Sequence, residues 1–294
     1  MNLGEAYILT LSKLREHRCP GSDPERETAD FLSWATSQSK ETQLIHPEVL
    51  LLPDQESLLT EMIERRLRHE PLERITGQTN FLRRKFEISK DTLIPRPATE
   101  ILVQAALKLI NNNVPTDIWD IGTGSGCIAI TMALESSIAR VLATDTSELA
   151  LQVARRNAEV NNIGGHVNFL LGELTDPLQQ SWSIDVPLII LANLPYIPTD
   201  QLKNLIPDVR DFEPRTALDG GPDGLLIYRL LLDRLEALFL KGRPTSIRLF
   251  FEHLPEQFET LSSEITVRFT PTEITPITSN TNNDSKIGLT AKLF

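Results

Sequence analysis

The sequence predicts an α/β fold: a layered sheet ending in a C-terminal antiparallel hairpin, preceded by a small all-α domain. Three observations predict it. From Asp117 onward, short apolar runs alternate with stretches of helical periodicity. Before residue 75, apolar residues recur at helical spacing and no strand pattern interrupts them. At the end of the chain, two strand candidates follow one another without a clear helix between them.

The elements follow in order. Leu3, Ala6, Tyr7, Leu9, Thr10, Leu11 and Leu14 make one helical stripe. Cys19-Pro20-Gly21-Ser22-Asp23-Pro24 breaks it, and Ser22 or Asp23 can cap a helix through Trp34 with Pro24 in its first turn. His46–Leu52 is a short apolar piece, and Pro53-Asp54 opens a helix over Gln55–Arg68 that stops before Pro71. Residues 1–75 therefore read as a helical domain, suited to docking a substrate. Residues 76–97 read as an extended or hairpin linker, with short strands or extended pieces at Phe81–Ile88 and Asp91–Ile94. In Ile94-Pro95-Arg96-Pro97 each proline keeps its predecessor out of the α region. A helix from Ala98 to Asn111 opens the third part, residues 98–294. Strands are expected at 117–121, 140–145, 166–171, 186–192 and 246–252, and helices near 125–135, 147–161, 223–240 and 255–264. The closing strands are expected at 266–274 and 286–293, with 279–285 a polar loop.

Bulk properties narrow the function. With 29 Lys and Arg against 40 Asp and Glu, the net charge of −11 argues against a surface for long nucleic acid. Cys19 and Cys127 lie far apart without CxxC spacing, and the five histidines show no ligand spacing, so no disulfide framework or metal is expected. Met1–Thr10 lacks the pattern of a signal peptide, and no apolar run reaches the roughly 18–20 residues that span a membrane. A cytoplasmic monomer without a membrane or nucleic-acid partner is the expectation. Trp119 and Trp182 read as packing residues, and Cys127 as a small buried apolar residue. Arg65, Arg66 and Arg68 form a basic cluster that either faces solvent or meets a partner.

The chemistry concentrates at successive strand ends. Gly122-Thr123-Gly124-Ser125-Gly126 sits between a strand and a helix, where glycines let the backbone turn sharply and approach a ligand. Asp145 ends the next strand. A carboxylate there can accept from both hydroxyls of a ribose, or it can cap the following helix, a role Ser147 can share. Gly172-Glu173-Leu174 ends the third strand, where Leu174 can pack on an adenine face and Glu173 can accept from its amine. Asn193-Leu194-Pro195-Tyr196 ends the fourth. It resembles the Asn/Asp-Pro-Pro-Tyr signature of methyltransferases acting on planar nitrogens. Asn193 offers a side-chain oxygen, Leu194 a backbone carbonyl, Pro195 a rigid turn and Tyr196 a stacking face.

Taken together, the chain resembles the release factor glutamine methyltransferases. The resemblance rests on Glu70–Gly77, Leu93–Glu100, Asp120–Gly126, Phe212–Leu218 with Asp219–Leu225, and Glu252-His253. It implies a Rossmann-like methyltransferase sheet and S-adenosyl-L-methionine as methyl donor. That donor would rest on Gly122, Thr123, Gly124, Ser125, Gly126, Asp145, Leu174 and Asn193. It implies Asn193 and Tyr196 as catalytic residues, Asn193–Tyr196 as the substrate clamp, and the glutamine of the Gly-Gly-Gln motif of peptide chain release factors as acceptor. There are departures: the usual second clamp residue is proline, here Leu194; the glycine after Glu252-His253 is Leu254; and Asn282-Asn283-Asp284-Ser285-Lys286 matches the near-terminal segment weakly. Leucine brings an N–H that needs a partner. Arg96 can steer the substrate or pair with Glu100, and the commoner fate of such a residue is a solvent-facing position or a structural salt bridge. Two rivals remain from the sequence: a methyltransferase of exocyclic amines on nucleic acid, and a catalytically degenerate cofactor-binding homologue.

Overall fold

A computed structural model describes residues 1–19, 23–178, 185–242, 244–279 and 285–293. The chain forms two compact units, Met1–Gly77 with Leu205–Phe212, and Gln78–Asn204 with Glu213–Phe294.

In the first unit, α1 (Leu3–His17) starts at a capping box in which Asn2 and Glu5 satisfy each other's backbone N–H groups. Helix α2 (Pro24–Thr36) starts at Asp23, whose side chain accepts from the N–H of Arg26; Ser22, the other cap candidate, lies outside the described residues. Two short helices were not expected: α3 (Lys40–Ile45), capped by Ser39, and α5 (Leu72–Thr76), which stops at Gly77 with φ +70°. Between them, α4 (Pro53–Leu67) runs close to its expected span. Leu3, Leu14, Phe31, Leu32, Leu59 and Met62 form the core of this unit. The basic cluster on α4 is taken apart by packing. Arg66 is buried and pairs with Glu27 at 2.8 Å and Asp208 at 2.9 Å. Arg65 forms a forked pair with Glu70, and Arg68 is left exposed.

The second unit opens with a hairpin, β1 (Gln78–Phe81) and β2 (Arg84–Glu87), turned by Leu82 and Arg83 at φ +45° and +65°. The hairpin expected within 76–97 is present, and from Gln78 on these residues belong to the second unit. Phe81 and Phe86 are about 1% exposed, meet edge to face, and join the core under the main sheet. Of the piece expected at 91–94, Asp91 and Thr92 lie in a turn closed by hydrogen bonds between Ser89 and Thr92, and Leu93–Ile94 form no strand. Then come α6 (Pro97–Leu107), β3 (Thr116–Ile121), α7 (Cys127–Glu135), β4 (Ala139–Asp145), α8 (Glu148–Val160), β5 (Val167–Leu171) and β6 (Leu188–Ala192). The short α9 (Pro207–Arg210) belongs to the first unit, and α10 (Leu226–Phe239), β7 (Ile247–Glu252), α11 (Phe258–Phe269), β8 (Glu273–Ser279) and β9 (Ser285–Lys292) complete the chain. The strand expected at 266–274 starts only at Glu273. Residues 265–269 alternate like a strand, but Leu261 and Ile265, four apart, are both fully buried and extend α11 to Phe269. Trp182 and residues 280–284 lie outside the described residues.

The sheet runs β5-β4-β3-β6-β7-β9-β8, with β9 antiparallel to both neighbours. The central strands are covered on both faces, and β6 is apolar and buried along its whole length. Trp119, Ile121, Ile190 and Phe251 face one core with α10; Ile118, Ile189 and Phe250 face the other with α6 and α7. Pro276 sits in the edge strand β8, where a missing N–H is tolerated. The chain order reverses between β3 and β6, and the crevice beyond their carboxyl ends is where such sheets bind ligands.

Candidate active site

The glycine loop leaves β3 with Gly122, Gly124 and Gly126 at φ +76°, +56° and +82°, conformations that side chains rarely adopt. A Cβ on Gly122 would sit 2.9 Å from Leu194 Cδ2, so the loop is fitted against the segment after β6. Gly124 faces open space. Behind the loop, the buried Asp120 accepts from the Thr123 hydroxyl at 2.6 Å and from the Ala129 N–H at 3.0 Å, locking the turn onto α7. Burial pushes its carboxyl up to about 7. Asn157 on α8 donates to the carbonyls of Ser125 and Glu87, holding the loop from the other side.

Asp145 accepts from the Gly124 N–H at 2.9 Å and the Ser147 N–H at 2.8 Å, and burial raises its pKa. The cap of α8 is Ser147, which accepts from the Ala150 N–H. Asp145 therefore braces the glycine loop, and Ser147 caps the helix. Leu174, at φ +49°, is almost buried, and its carbonyl accepts from the Thr144 hydroxyl. Glu173 is held by the Arg234 guanidinium. These strand ends border one cavity of about 290 Å³, lined also by Asp91–Leu93, Thr99, Asn193–Pro195, Thr216 and Ala217.

Asn193 Nδ2 donates to Thr99 Oγ1 at 3.0 Å, and Thr99 donates to Glu252 Oε2 at 2.7 Å. The Tyr196 hydroxyl donates to Glu252 Oε1 at 3.0 Å. A buried carboxylate thus orders three side chains around the strand ends. Burial pushes the Glu252 carboxyl up to about 7 and, with that carboxylate beside it, raises the Tyr196 phenol further. Tyr196 lies against the core with its hydroxyl on Glu252 and does not line the cavity, unlike the three residues before it. The N–H that leucine brings at position 194 has a partner: the Tyr228 hydroxyl at 3.3 Å, which in turn lies 2.5 Å from the Glu252 carbonyl. The Tyr196 carbonyl accepts from Gln257 at 2.8 Å, and Gly224 is packed so closely on it that no Cβ fits.

Comparison with known proteins places this geometry. The family model "PrmC N-terminal domain" matches residues 5–77, and the model "Ribosomal protein L11 methyltransferase (PrmA)" matches residues 96–216. A release factor glutamine methyltransferase of Moorella thermoacetica is 40% identical over 219 residues, 74% of this chain and 76% of that protein. Those of Thermodesulfovibrio yellowstonii and Caulobacter vibrioides are each 36% identical, over 79% and 86% of this chain and 82% and 85% of theirs. The chain belongs to the release factor glutamine methyltransferase family. Among solved structures, the catalytic domain of hMettl16 in complex with the MAT2A 3′UTR hairpin 6 matches the fold at TM-score 0.51 and 15% identity, over 71% of this chain and 74% of that one. The N-terminal domain of human METTL16 in complex with SAH matches at 0.50 and 17%, over 71% and 75%.

Within this family frame, the strand ends named from sequence do converge on one cavity. Four contributors were not singled out: Asp120, Thr99, Asn157 and Glu252. Asp120, Thr99 and Glu252 all stand inside quoted motifs, but their roles depend on contacts with distant residues. Arg96 takes the structural salt bridge, with a partner other than Glu100. It pairs with the buried Glu213 of the Glu-Pro-Arg-Thr segment, while Glu100 accepts from the Leu82 N–H. Cys127 is buried, its thiol pushed up to about 12 by burial, as suits a packing residue. Among the described residues, no helix is long and apolar enough to cross a membrane.

Proposed function

We propose that this chain transfers a methyl group from S-adenosyl-L-methionine to the side-chain amide nitrogen of the glutamine in the Gly-Gly-Gln motif of peptide chain release factors. The observation that carries it is the ordered Asn193. Because Thr99 gives its proton to Glu252, it meets Asn193 as an acceptor, takes the NH₂ group, and turns Oδ1 away from itself. Together with the Leu194 carbonyl, this makes two acceptors at the cavity edge for the two N–H groups of a planar amide.

The cavity fits the donor on its own geometry. Gly124 offers an open backbone approach, Asp145 borders the cavity at the ribose position, and Leu174 lies at the adenine position. When bound, the donor supplies an electrophilic methyl on a sulfonium. The protein's part is alignment: Asn193 Oδ1 and the Leu194 carbonyl hold the amide flat, keep its lone pair toward the cavity, and stabilise the positive charge that grows on nitrogen. The alkylated nitrogen is strongly acidic, so its proton leaves to Asn193 Oδ1 or to water without a dedicated base. Tyr196 acts in this reading mainly by bracing Glu252, and Pro195 by stiffening the clamp.

The helical unit reads as the docking part. It exposes Ile8, Leu44, Ile45, Leu50 and Leu52 on α1, α3 and the 46–52 segment, which hydrogen bonds tie to the start of α1. A folded substrate at the ribosome implies a cytoplasmic setting. Incubation with labelled donor and release factor, followed by mass spectrometry, tests the assignment. Methylated glutamine in the Gly-Gly-Gln peptide supports it. Label on DNA or RNA instead, or no label, overturns it.

A further inference from the structure

The helical unit holds a cluster for which methyl transfer has no use. One ligand atom each from His17, Cys19 and His69 lies within 4.8 Å of the other two. His17 ends α1, Cys19 follows past Arg18 at φ +51°, and His69 stands just beyond α4 at φ +67°. No spacing in the sequence announces this set. It is assembled by the packing of α1 beside α4, and all three residues belong to the same unit.

We propose that His17, Cys19 and His69 form a zinc site that ties the end of α1 to the end of α4. Donor chemistry selects the metal: two imidazoles and a thiolate suit zinc and its borderline-soft neighbours, whereas magnesium and calcium require oxygen. Around a tetrahedral zinc, ligand atoms stand roughly 3.3–3.8 Å apart, so the three must close by about 1 Å. His17 is exposed, with its ring 5.0 Å from the His69 ring, and a rotation of its side chain closes that distance. The fourth position is left for water.

Two further observations point to a metal. Asp208 Oδ1 lies 3.3 Å from His69 Nδ1. Neither atom makes a hydrogen bond as the ring stands, and a small turn of the His69 ring would let its Nδ1–H donate to Asp208 and leave Nε2 for the metal. The neighbouring buried ion cluster sets one guanidinium, Arg66, against two carboxylates, Glu27 and Asp208. A divalent cation bound by one thiolate and two neutral imidazoles adds one net positive charge and balances the cluster. On binding, the Cys19 thiol, now 3.6 Å from the Arg66 carbonyl oxygen, exchanges its proton to solvent for a sulfur–metal bond.

The test uses the full-length protein freed of metal by a chelator. It is titrated with zinc chloride against a chromophoric chelator, and with cobalt chloride by absorption. Expected are one equivalent of cobalt, tetrahedral d–d bands, and a thiolate-to-cobalt charge-transfer band. Cys19→Ser should abolish the charge-transfer band. His17→Ala, a change at an exposed ring, should weaken zinc binding at least tenfold. Asp208→Asn should weaken it by about 10–100-fold. Zinc should also raise the thermal midpoint of the wild type more than that of His17→Ala. Circular dichroism checks that each variant folds; should Cys19→Ser or Asp208→Asn not fold, His17→Ala decides. A wild type without the thiolate band, or a His17→Ala variant that binds zinc as tightly as wild type, overturns the proposal. Neither readout depends on methyl transfer.

Discussion

Replacing Glu252 with glutamine should misorient Asn193 without removing any atom from the cavity. In the ionised state, Glu252 takes the Thr99 proton, which leaves Thr99 an acceptor toward Asn193 Nδ2. A glutamine at this position would keep an oxygen toward the Tyr196 hydroxyl and turn its NH₂ group to Thr99. The Thr99 proton is then free to reach Asn193 Oδ1, and the Asn193 amide flips its donor toward the substrate. One acceptor for the substrate amide becomes a donor. At about 1–3 kcal/mol for a misplaced buried hydrogen bond, Glu252→Gln should slow methyl transfer by roughly 5–150-fold. Protonation of Glu252 does the same. Its carboxyl is held at about 7, so at pH 6 about one molecule in ten is ionised, and the wild-type rate should fall about tenfold from its plateau. Stability should move the other way. The folded pKa stands above the ordinary 4.5, so this group's contribution is fully present below pH 4.5 and is lost as pH rises through 7, by about 3 kcal/mol at most. Single-turnover methyl transfer from pH 5.5 to 8.5, on wild type and Glu252→Gln, is the assay. The wild-type profile should rise through pH 7, and the variant should be flat and meet it at low pH. A variant within threefold of wild type at pH 8, or one that keeps the break near 7, would refute the reasoning.

Asn193→Ala should keep donor affinity near normal and lose about 10²–10³ in rate, because one preorganised charge-stabilising contact is gone; single-turnover kinetics decide. Asp145→Ala should weaken S-adenosylhomocysteine by roughly 1–3 kcal/mol in a calorimetric titration, and unchanged affinity would confine Asp145 to bracing Gly124. Tyr228→Phe leaves the Leu194 N–H unpaired and should cost about 1–3 kcal/mol in denaturant unfolding. In a Leu194→Pro background, which has no N–H, that cost should shrink, and a double-mutant cycle measures the difference. Leu44→Ser with Ile45→Ser should lower kcat/KM at least tenfold for intact release factor while leaving an isolated Gly-Gly-Gln peptide unchanged; equal losses on both substrates would remove the docking role.

The sequence by itself determined the class of fold and the positions of the strand ends. Those signals are local. An apolar run buried on both faces reads as a strand wherever it packs, and a Gly-Thr-Gly-Ser-Gly turn needs its glycines because three of its residues take positive φ. The family motifs are legible for the same reason, since they lie within short continuous segments. Periodicity failed where two patterns coincide: residues 265–269 alternate like a strand, yet the burial of Leu261 and Ile265 makes them helix. Charge reading missed the fate of Arg66, because burial of its guanidinium depends on Glu27 and Asp208, far away in the chain, whereas Arg68 does face solvent. Only the tertiary structure decided what orders the clamp. Thr99 and Glu252 are 153 residues apart, and Tyr228 supplies the partner that Leu194 needs from 34 residues on. It likewise decided that His17, Cys19 and His69 meet. A hydrogen bond or a ligand set is fixed by distance in space, and spacing along the chain reports such distances only within a single helix, strand or turn.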